Sequence, residues 1–317
     1  MLGARIMFFG TPDFAAASLR GLIDNDENIV GVVTQPDRPK GRNRKMAAPP
    51  VKVLAEGRNI PVYQPASVRT AEFLEWFRGQ QVDLAIVAAY GKIIPKELLD
   101  IPPCGFVNVH ASLLPRHRGA SPIQTAVVMG DEESGITIMQ MDVGLDTGDI
   151  LLTSKAPINP DMTAADLHND LAMIGGEAIV DYLCDLRTNS LKPQPQDDTQ
   201  ATYAPLLKKT DGEVSWDKPA SSVYNHVRGM FPWPGAYTFH GDKRIRLYPL
   251  RGFTTEMDSG VEPGTIVRAE GDEIVVACGT GTVALGAIQL EGRKAVAPHQ
   301  FLQGYELPPG AKLGQKK

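Results

Sequence analysis

Short apolar runs alternating with helical stretches constrain this chain more than any other feature. Ile6-Met7-Phe8-Phe9 closes at Gly10 and is followed by Asp13, a candidate helix cap, and then by Leu19 and Leu22 at helical spacing. Ile29 to Val33, Pro61 to Tyr63, Leu84 to Ala88 and Phe106 to His110 repeat the pattern, with helical stretches at Val51 to Ala55 and Ala71 to Phe77 between them. Such runs suit strands buried on both faces, and strands separated by helices at short intervals build βαβ units with a mostly parallel sheet. The pattern predicts an α/β fold with a Rossmann-like sheet, whose ligands bind beyond the carboxyl ends of the strands. Gly135 to Met141 and Ile150 to Ala156 read as two further strands around a glycine-rich turn. Thr163 to Leu186 reads as one long helix, capped by Asp161 or Thr163.

From Arg187 the character changes. Pro193, Pro195, Asp197, Asp198 and Thr199 are polar or turn-favouring, so residues 190–205 are expected to link a domain at 1–189 to a second at 206–317. Helix signals nearly vanish beyond that point. Tyr237 to Phe239, Arg244 to Leu250, Thr265 to Ala269, Glu273 to Cys278 and Thr282 to Ile288 read as short strands with glycine turns, suggesting a smaller OB-like β-barrel domain.

No run approaches the eighteen or so apolar residues a membrane helix needs. The N-terminus enters a strand without the apolar run and cleavage site of a signal peptide, so a soluble, cytoplasmic chain is expected, working as a monomer. Cys104, Cys184 and Cys278 are scattered, which suggests neither a disulfide framework nor a zinc site. Net charge is −5, dividing into −7 over residues 1–205 and +2 over residues 206–317. The second part is the better candidate for a nucleic-acid surface, although so small an excess is weak support.

The most informative segment is Gly105 to Gly119. Asn108 and His110 stand two apart on a predicted strand, so their side chains share a face. An amide and an imidazole side by side can donate to one oxygen, as a carbonyl turning tetrahedral requires. By itself the pattern is equally a solvated polar strand end. In Met141 to Ile150, glycines flank Asp146 and let the backbone aim a carboxylate, which near a histidine can hold it protonated or relay protons through water. A lone loop of this kind is more often a plain turn.

Asn108, His110, the Ser112-Leu113-Leu114-Pro115 turn and Asp146 together resemble, in order and spacing, the Asn–His–Asp site and folate loop of the formyltetrahydrofolate-dependent formyltransferase family. The likeness continues through Arg116, Arg118, Gly119 and Pro122-Ile123-Gln124. Phe9-Gly10-Thr11-Pro12-Asp13-Phe14 and the second domain resemble the branch of that family that acts on methionyl-tRNA. His117 departs from the branch, which usually carries Trp there. The resemblance implies transfer of a formyl group from the co-substrate 10-formyltetrahydrofolate to the free amino group of methionyl-initiator tRNA, without a metal. Asn108, His110 and Asp146 would be catalytic, and Ser112, Leu113, Leu114 and Pro115, with Ile93 and Ile94 after the fourth strand, would hold the folate. Phe14 would meet the methionine side chain, although a core role at a helix start suits it nearly as well.

Arg38 to Lys45 places five basic residues within eight. A charge run is usually a solvated surface, but mobile basic loops suit phosphate contacts. In the methionyl-tRNA branch a similar loop enters the acceptor stem, which implies tRNA contact by Lys40, Arg42, Arg44 and Lys45. Lys208, Lys209, Lys243, Arg244 and Arg246 could line a further track. A dinucleotide-binding oxidoreductase fits less well: the first turn lacks GxGxxG, and Pro12 removes a phosphate-facing N–H.

Overall fold

The computed structural model describes residues 3–40, 45–256 and 260–314. In chain order the first elements are β1 (Ile6–Gly10), α1 (Asp13–Asp24), β2 (Ile29–Val33), β3 (Arg38–Lys40), β4 (Lys45–Ala47), α2 (Pro50–Glu56), β5 (Val62–Tyr63), α3 (Ala71–Gly79) and β6 (Leu84–Ala88). They continue with α4 (Lys96–Leu99), β7 (Phe106–His110), β8 (Arg118–Gly119), α5 (Pro122–Met129), β9 (Glu133–Gln140), β10 (Ile150–Pro157), α6 (Ala164–Thr188) and β11 (Tyr203–Ala204). Contacts divide the chain into two compact units. One holds the chain up to Gly119 with Glu133–Pro157 and His168–Ala204; the other holds Ala120–Glu132, Ile158–Leu167 and the chain from Pro205.

The first unit is built on a seven-stranded sheet in the order β10-β9-β7-β6-β1-β2-β5. Neighbours from β7 to β5 are parallel, as the βαβ pattern requires, while β9 is antiparallel to both its neighbours, β7 and β10. Alternation sorts the strand residues onto two faces. Met7, Phe9, Val33, Ala85, Val87 and Phe106 join Phe73 and Phe77 of α3 and Leu98 and Leu99 of α4 in one core. The opposite face carries Val109 of β7 and Ile136 of β9, which approach Gly175 of α6.

Glycine lets α6 lie directly against α1. A Cβ added at Gly21 would stand 2.5 Å from the Gly176 carbonyl oxygen, a backbone atom that cannot turn aside. Gly21→Ala is therefore expected to destabilise the unit by about 1–3 kcal/mol, the usual size of an overpacking penalty. A urea unfolding midpoint equal to that of the wild type would contradict this helix contact.

Two helix starts refine the sequence expectations. Pro12 occupies the cap position of α1, and Asp13 is the first helical residue, where its charge meets the positive end of the helix. Thr163, rather than Asp161, caps α6: its N–H and hydroxyl donate to Asp166 Oδ2 at 2.9 and 2.6 Å, and the Asp166 N–H donates back to Thr163 Oγ1 at 3.3 Å.

The second unit adds α7 (Ala220–Gly229), β12 (Tyr237–His240), β13 (Lys243–Leu247), β14 (Gly252–Thr254), β15 (Ile266–Glu270), β16 (Glu273–Ala277), β17 (Thr282–Ala284), β18 (Ile288–Leu290) and α8 (Pro298–Gly304). The expected small antiparallel architecture takes the form of two sheets, β12-β13-β18 and β14-β17-β16-β15. Their core includes Ile245, Leu247, Ile274, Val276, Val283 and Ile288. The near-absence of helices expected here is corrected by α7. Its Ala220, Val223, Tyr224 and Val227 are buried at helical spacing, although polar neighbours mask the period in the sequence. The Tyr224 hydroxyl donates to Asp161 Oδ1 at 2.7 Å and Arg228 Nη1 to the Met162 carbonyl at 2.7 Å, which ties residues 158–167 to this unit.

Candidate active site

β7 is the strand on which the candidate chemistry begins. Phe106 opens its polar face inside the aromatic core, with its ring 5.4 Å from that of Phe9 and 6.0 Å from that of Phe77. Asn108 and His110 follow on the same face, Asn108 half-buried and His110 buried at the strand end. Val107 and Val109 point the other way and are fully covered. The sequence FVNVH thus reads as two buried residues of one face interleaved with a polar continuation of the other. Among the described residues no protein group hydrogen-bonds the Asn108 amide, which leaves it free to meet a ligand.

The carboxylate arrives from an unexpected direction. β9 runs antiparallel to β7, with Gln140 opposite Val107 and Thr137 opposite His110. The loop after β9 therefore leaves beside the start of β7 and must travel back along it to bring Asp146 to His110. Glycine makes the return possible, since a Cβ at Gly148 would stand 1.8 Å from the Gln140 carbonyl oxygen. Asp142 Oδ1 accepts from the Gly144 N–H at 2.9 Å and from the Thr147 hydroxyl at 2.8 Å, closing the first part of the loop. Asp146 has a left-handed backbone, φ +54°. Its Oδ2 accepts from the Gly119 N–H at 2.8 Å and stands 3.7 Å from His110 Nδ1.

The other ring nitrogen fixes the imidazole. His110 Nε2 lies 3.1 Å from the His117 carbonyl. A carbonyl only accepts, so the Nε2 proton is committed there and Nδ1 is the ring atom that faces the carboxylate. At 3.7 Å the His110–Asp146 approach is an ion-pair distance, longer than a hydrogen bond, and leaves Nδ1 able to address a third group. His117 itself has φ +59°, so the turn that presents its carbonyl to His110 is held in an uncommon conformation.

The Ser112 to Pro115 turn is knit inward. The Ser112 hydroxyl donates to the Arg116 carbonyl at 2.7 Å, and the Ser112 carbonyl accepts from the Thr137 hydroxyl at 2.7 Å. Thr137 Oγ1 in turn accepts from the Leu114 N–H at 3.1 Å, and the Leu114–Pro115 peptide is cis. Leu113 is half-buried and Leu114 buried. Three large apolar side chains stand out into solvent on two loops: Ile93 after β6, 75% exposed, and Val143 and Leu145 between β9 and β10, 75% and 59% exposed. Ile94, beside Ile93, belongs to the core with Val68 and Leu98.

A model described as Formyl transferase matches residues 4–183, and one described as Formyl transferase, C-terminal domain, matches residues 206–306. The chain is 49% identical over 316 residues to a methionyl-tRNA formyltransferase of Citrifermentans bemidjiense, covering 100% of this chain and 98% of the relative. The chain belongs to the formyl transferase family. A methionyl-tRNA formyltransferase of Acetivibrio thermocellus is 44% identical over 311 residues, 98% of this chain and 100% of its own. Among solved structures, the sugar 3N-formyl transferase WlaRD, obtained in the presence of dTDP and 5-N-formyl-THF, superposes with a TM-score of 0.66 at 18% identity, over 93% of this chain and 100% of that one. Methionyl-tRNA formyltransferase from Clostridium thermocellum superposes with a TM-score of 0.55 at 17% identity, over 93% and 99%. These structural likenesses show a shared formyl transferase fold.

Within that fold the other predicted residues take varied places. Phe14 is buried, its ring 5.9 Å from that of His168. Lys40 and Lys45 face each other in register on β3 and β4, and Arg42 and Arg44 lie outside the described residues. A cluster that sequence reasoning missed anchors this basic pair of strands. Lys52 Nζ donates to Asp37 Oδ1 and Oδ2, both at 3.1 Å, and to Gln64 Oε1 at 2.9 Å. Gln64 and then Lys52 hold the Asp37 carboxyl below the usual carboxylate range. In the second unit Arg244 stacks over the Tyr237 ring at 3.8 Å and Arg246 over that of Tyr248 at 5.4 Å, on the strand face opposite the core residues Ile245 and Leu247. Among the described residues there is no cluster of three or more His, Cys, Asp or Glu that could hold a metal ion, and no helix long and apolar enough to cross a membrane.

Proposed function

We propose that this chain transfers the formyl group of 10-formyltetrahydrofolate to the amino group of methionyl-initiator tRNA, in the cytoplasm, as the step that readies that tRNA for translation initiation. The observation that carries the reading is the approach of Asp146 to His110 on the face that Asn108 shares, 3.7 Å between Nδ1 and Oδ2. Relatives named methionyl-tRNA formyltransferase that match the chain end to end, 44% and 49% identical, support the substrates.

The neutral amine attacks the formyl carbon, a new C–N bond forms, and the formyl oxygen gains negative charge. The unengaged Asn108 amide and the Nδ1 edge of protonated His110 donate to that oxygen. Asp146 compensates the imidazolium and organises a water that takes the amine proton. The carbon–nitrogen bond to the folate then breaks, and its nitrogen takes up a proton as tetrahydrofolate leaves. Ile93, Val143 and Leu145 are exposed apolar side chains suited to the flat ring of a folate, and the Ser112 to Pro115 turn, knit by its own hydrogen bonds, is a rigid segment for it to meet. Phe14 serves the methionine side chain and the basic strands the acceptor stem.

The direct test is formyl transfer by the purified chain to charged initiator tRNA, set against glycinamide ribonucleotide and free methionine. Activity on the small amines without activity on the tRNA would overturn the substrate assignment. Arg42→Ala is expected to weaken tRNA binding and to lower the slope of log affinity against log salt by about 1. Folate binding should be unaffected; an unchanged salt slope would remove Arg42 from the phosphate contacts.

A further inference from the structure

The segment expected to connect the two domains does something more specific within the first unit. Gln196 is half-buried in an otherwise exposed run, and both ends of its amide are engaged. Its Nε2 donates to the carbonyls of Asp146 at 2.9 Å and Gly148 at 2.7 Å. Its Oε1 accepts from Arg118 Nε at 3.0 Å and Nη2 at 2.8 Å. The orientation of the amide is forced, because carbonyls only accept and a guanidinium only donates. Arg118 is 2% exposed and also reaches Asp198 Oδ1 at 2.8 Å.

These bonds close a ring. The Arg118 side chain holds Gln196, Gln196 holds the backbone of Asp146, and the carboxylate of Asp146 accepts from the N–H of Gly119, the residue after Arg118. Neighbouring bonds brace the same loops. Ile150 and Gln194 exchange backbone hydrogen bonds at 2.8 and 2.9 Å, and Thr202 Oγ1 accepts from the His117 N–H at 2.9 Å. The 3.7 Å gap to His110 is too long to orient the carboxylate by itself. Its place, and the left-handed backbone that presents it, must come from the ring.

We propose that Gln196 is a positioning residue for formyl transfer: it clamps the Asp146 to Gly148 backbone so that the carboxylate stands against His110. The proposal rests on the functional reading above. It makes the polar connector a part of the active-site scaffold and predicts that substitutions there slow the chemistry without touching either substrate.

Gln196→Glu separates the two ends of the amide. A carboxylate still accepts from Arg118 but cannot donate to the two loop carbonyls. We expect single-turnover formylation of initiator tRNA to slow by about 10- to 100-fold, the scale of a misplaced catalytic group. Michaelis constants for 10-formyltetrahydrofolate and tRNA should change by less than about twofold. On an Asp146→Asn background the same change should cost less than about threefold, because both variants remove one function. Three outcomes would overturn the proposal: an unaltered rate, a loss carried by the Michaelis constants, or the full loss repeated on the Asp146→Asn background. If Gln196→Glu lowers the melting temperature, the uncharged isostere Gln196→Met is read in the same cycle, and additivity there overturns the proposal equally. Failure of the wild-type chain to formylate the tRNA would instead sink the functional reading, and it is seen before any variant is compared.

Discussion

Asn108→Ala is expected to slow formyl transfer by about 10²–10³-fold, the cost of removing one donor from a developing oxyanion. The structure makes this variant an informative one. The amide is half-buried on a strand paired on both sides, with Val87 and Met139 opposite, and its removal strands no protein partner. The fold should therefore survive, and the loss should fall on the rate of the chemical step with little change in folate binding. Single-turnover rates with saturating co-substrate, beside a thermal melt, decide the matter. A folded variant with an unchanged rate would take the amide out of the mechanism.

Asp146→Asn is expected to cost about 10²–10⁴-fold, the range over which positioned acid–base groups act. Asparagine is well suited to the left-handed backbone at this position, φ +54°, and its Oδ1 can still accept the Gly119 N–H. What disappears is the negative charge that faces His110 Nδ1 and organises the proton-accepting water. Because the substitution leaves the turn intact, its effect reports charge and proton handling. A rate within about threefold of wild type in a folded protein would show that the carboxylate is dispensable.

Much of the first unit was legible along the chain because its information is local. Short apolar runs separated by helical stretches marked β1, β2, β6 and β7, and the sheet that results is mostly parallel, as that order requires. The shared face of Asn108 and His110 was equally plain, since two residues apart on a strand is a geometric certainty once the strand exists. α7 was missed because Ser221, Ser222, Asn225 and His226 interrupt its apolar period. Its evidence lies in the core it joins, which also holds Ile245 and Val283.

The approach of Asp146 was legible only through resemblance. Nothing between Met141 and Asp149 tells a reader that the loop reverses over the sheet, because that follows from β9 lying antiparallel to β7, a pairing far apart in sequence. The scaffold of the loop was invisible for the same reason. Gln196 stands in a proline-rich stretch that reads as a tether, yet it closes hydrogen bonds to residues 78 and 50 positions away.

The sequence by itself determined most strands and helices of the first unit and which face of β7 is polar, because each of these follows from neighbours along the backbone. Only the tertiary structure decided how the carboxylate meets the imidazole, which ring nitrogen faces it, and what holds the loop still. Those are matters of a few tenths of an ångström between residues distant in the chain, and they are settled by long-range strand pairing and by donors and acceptors finding the partners that burial demands.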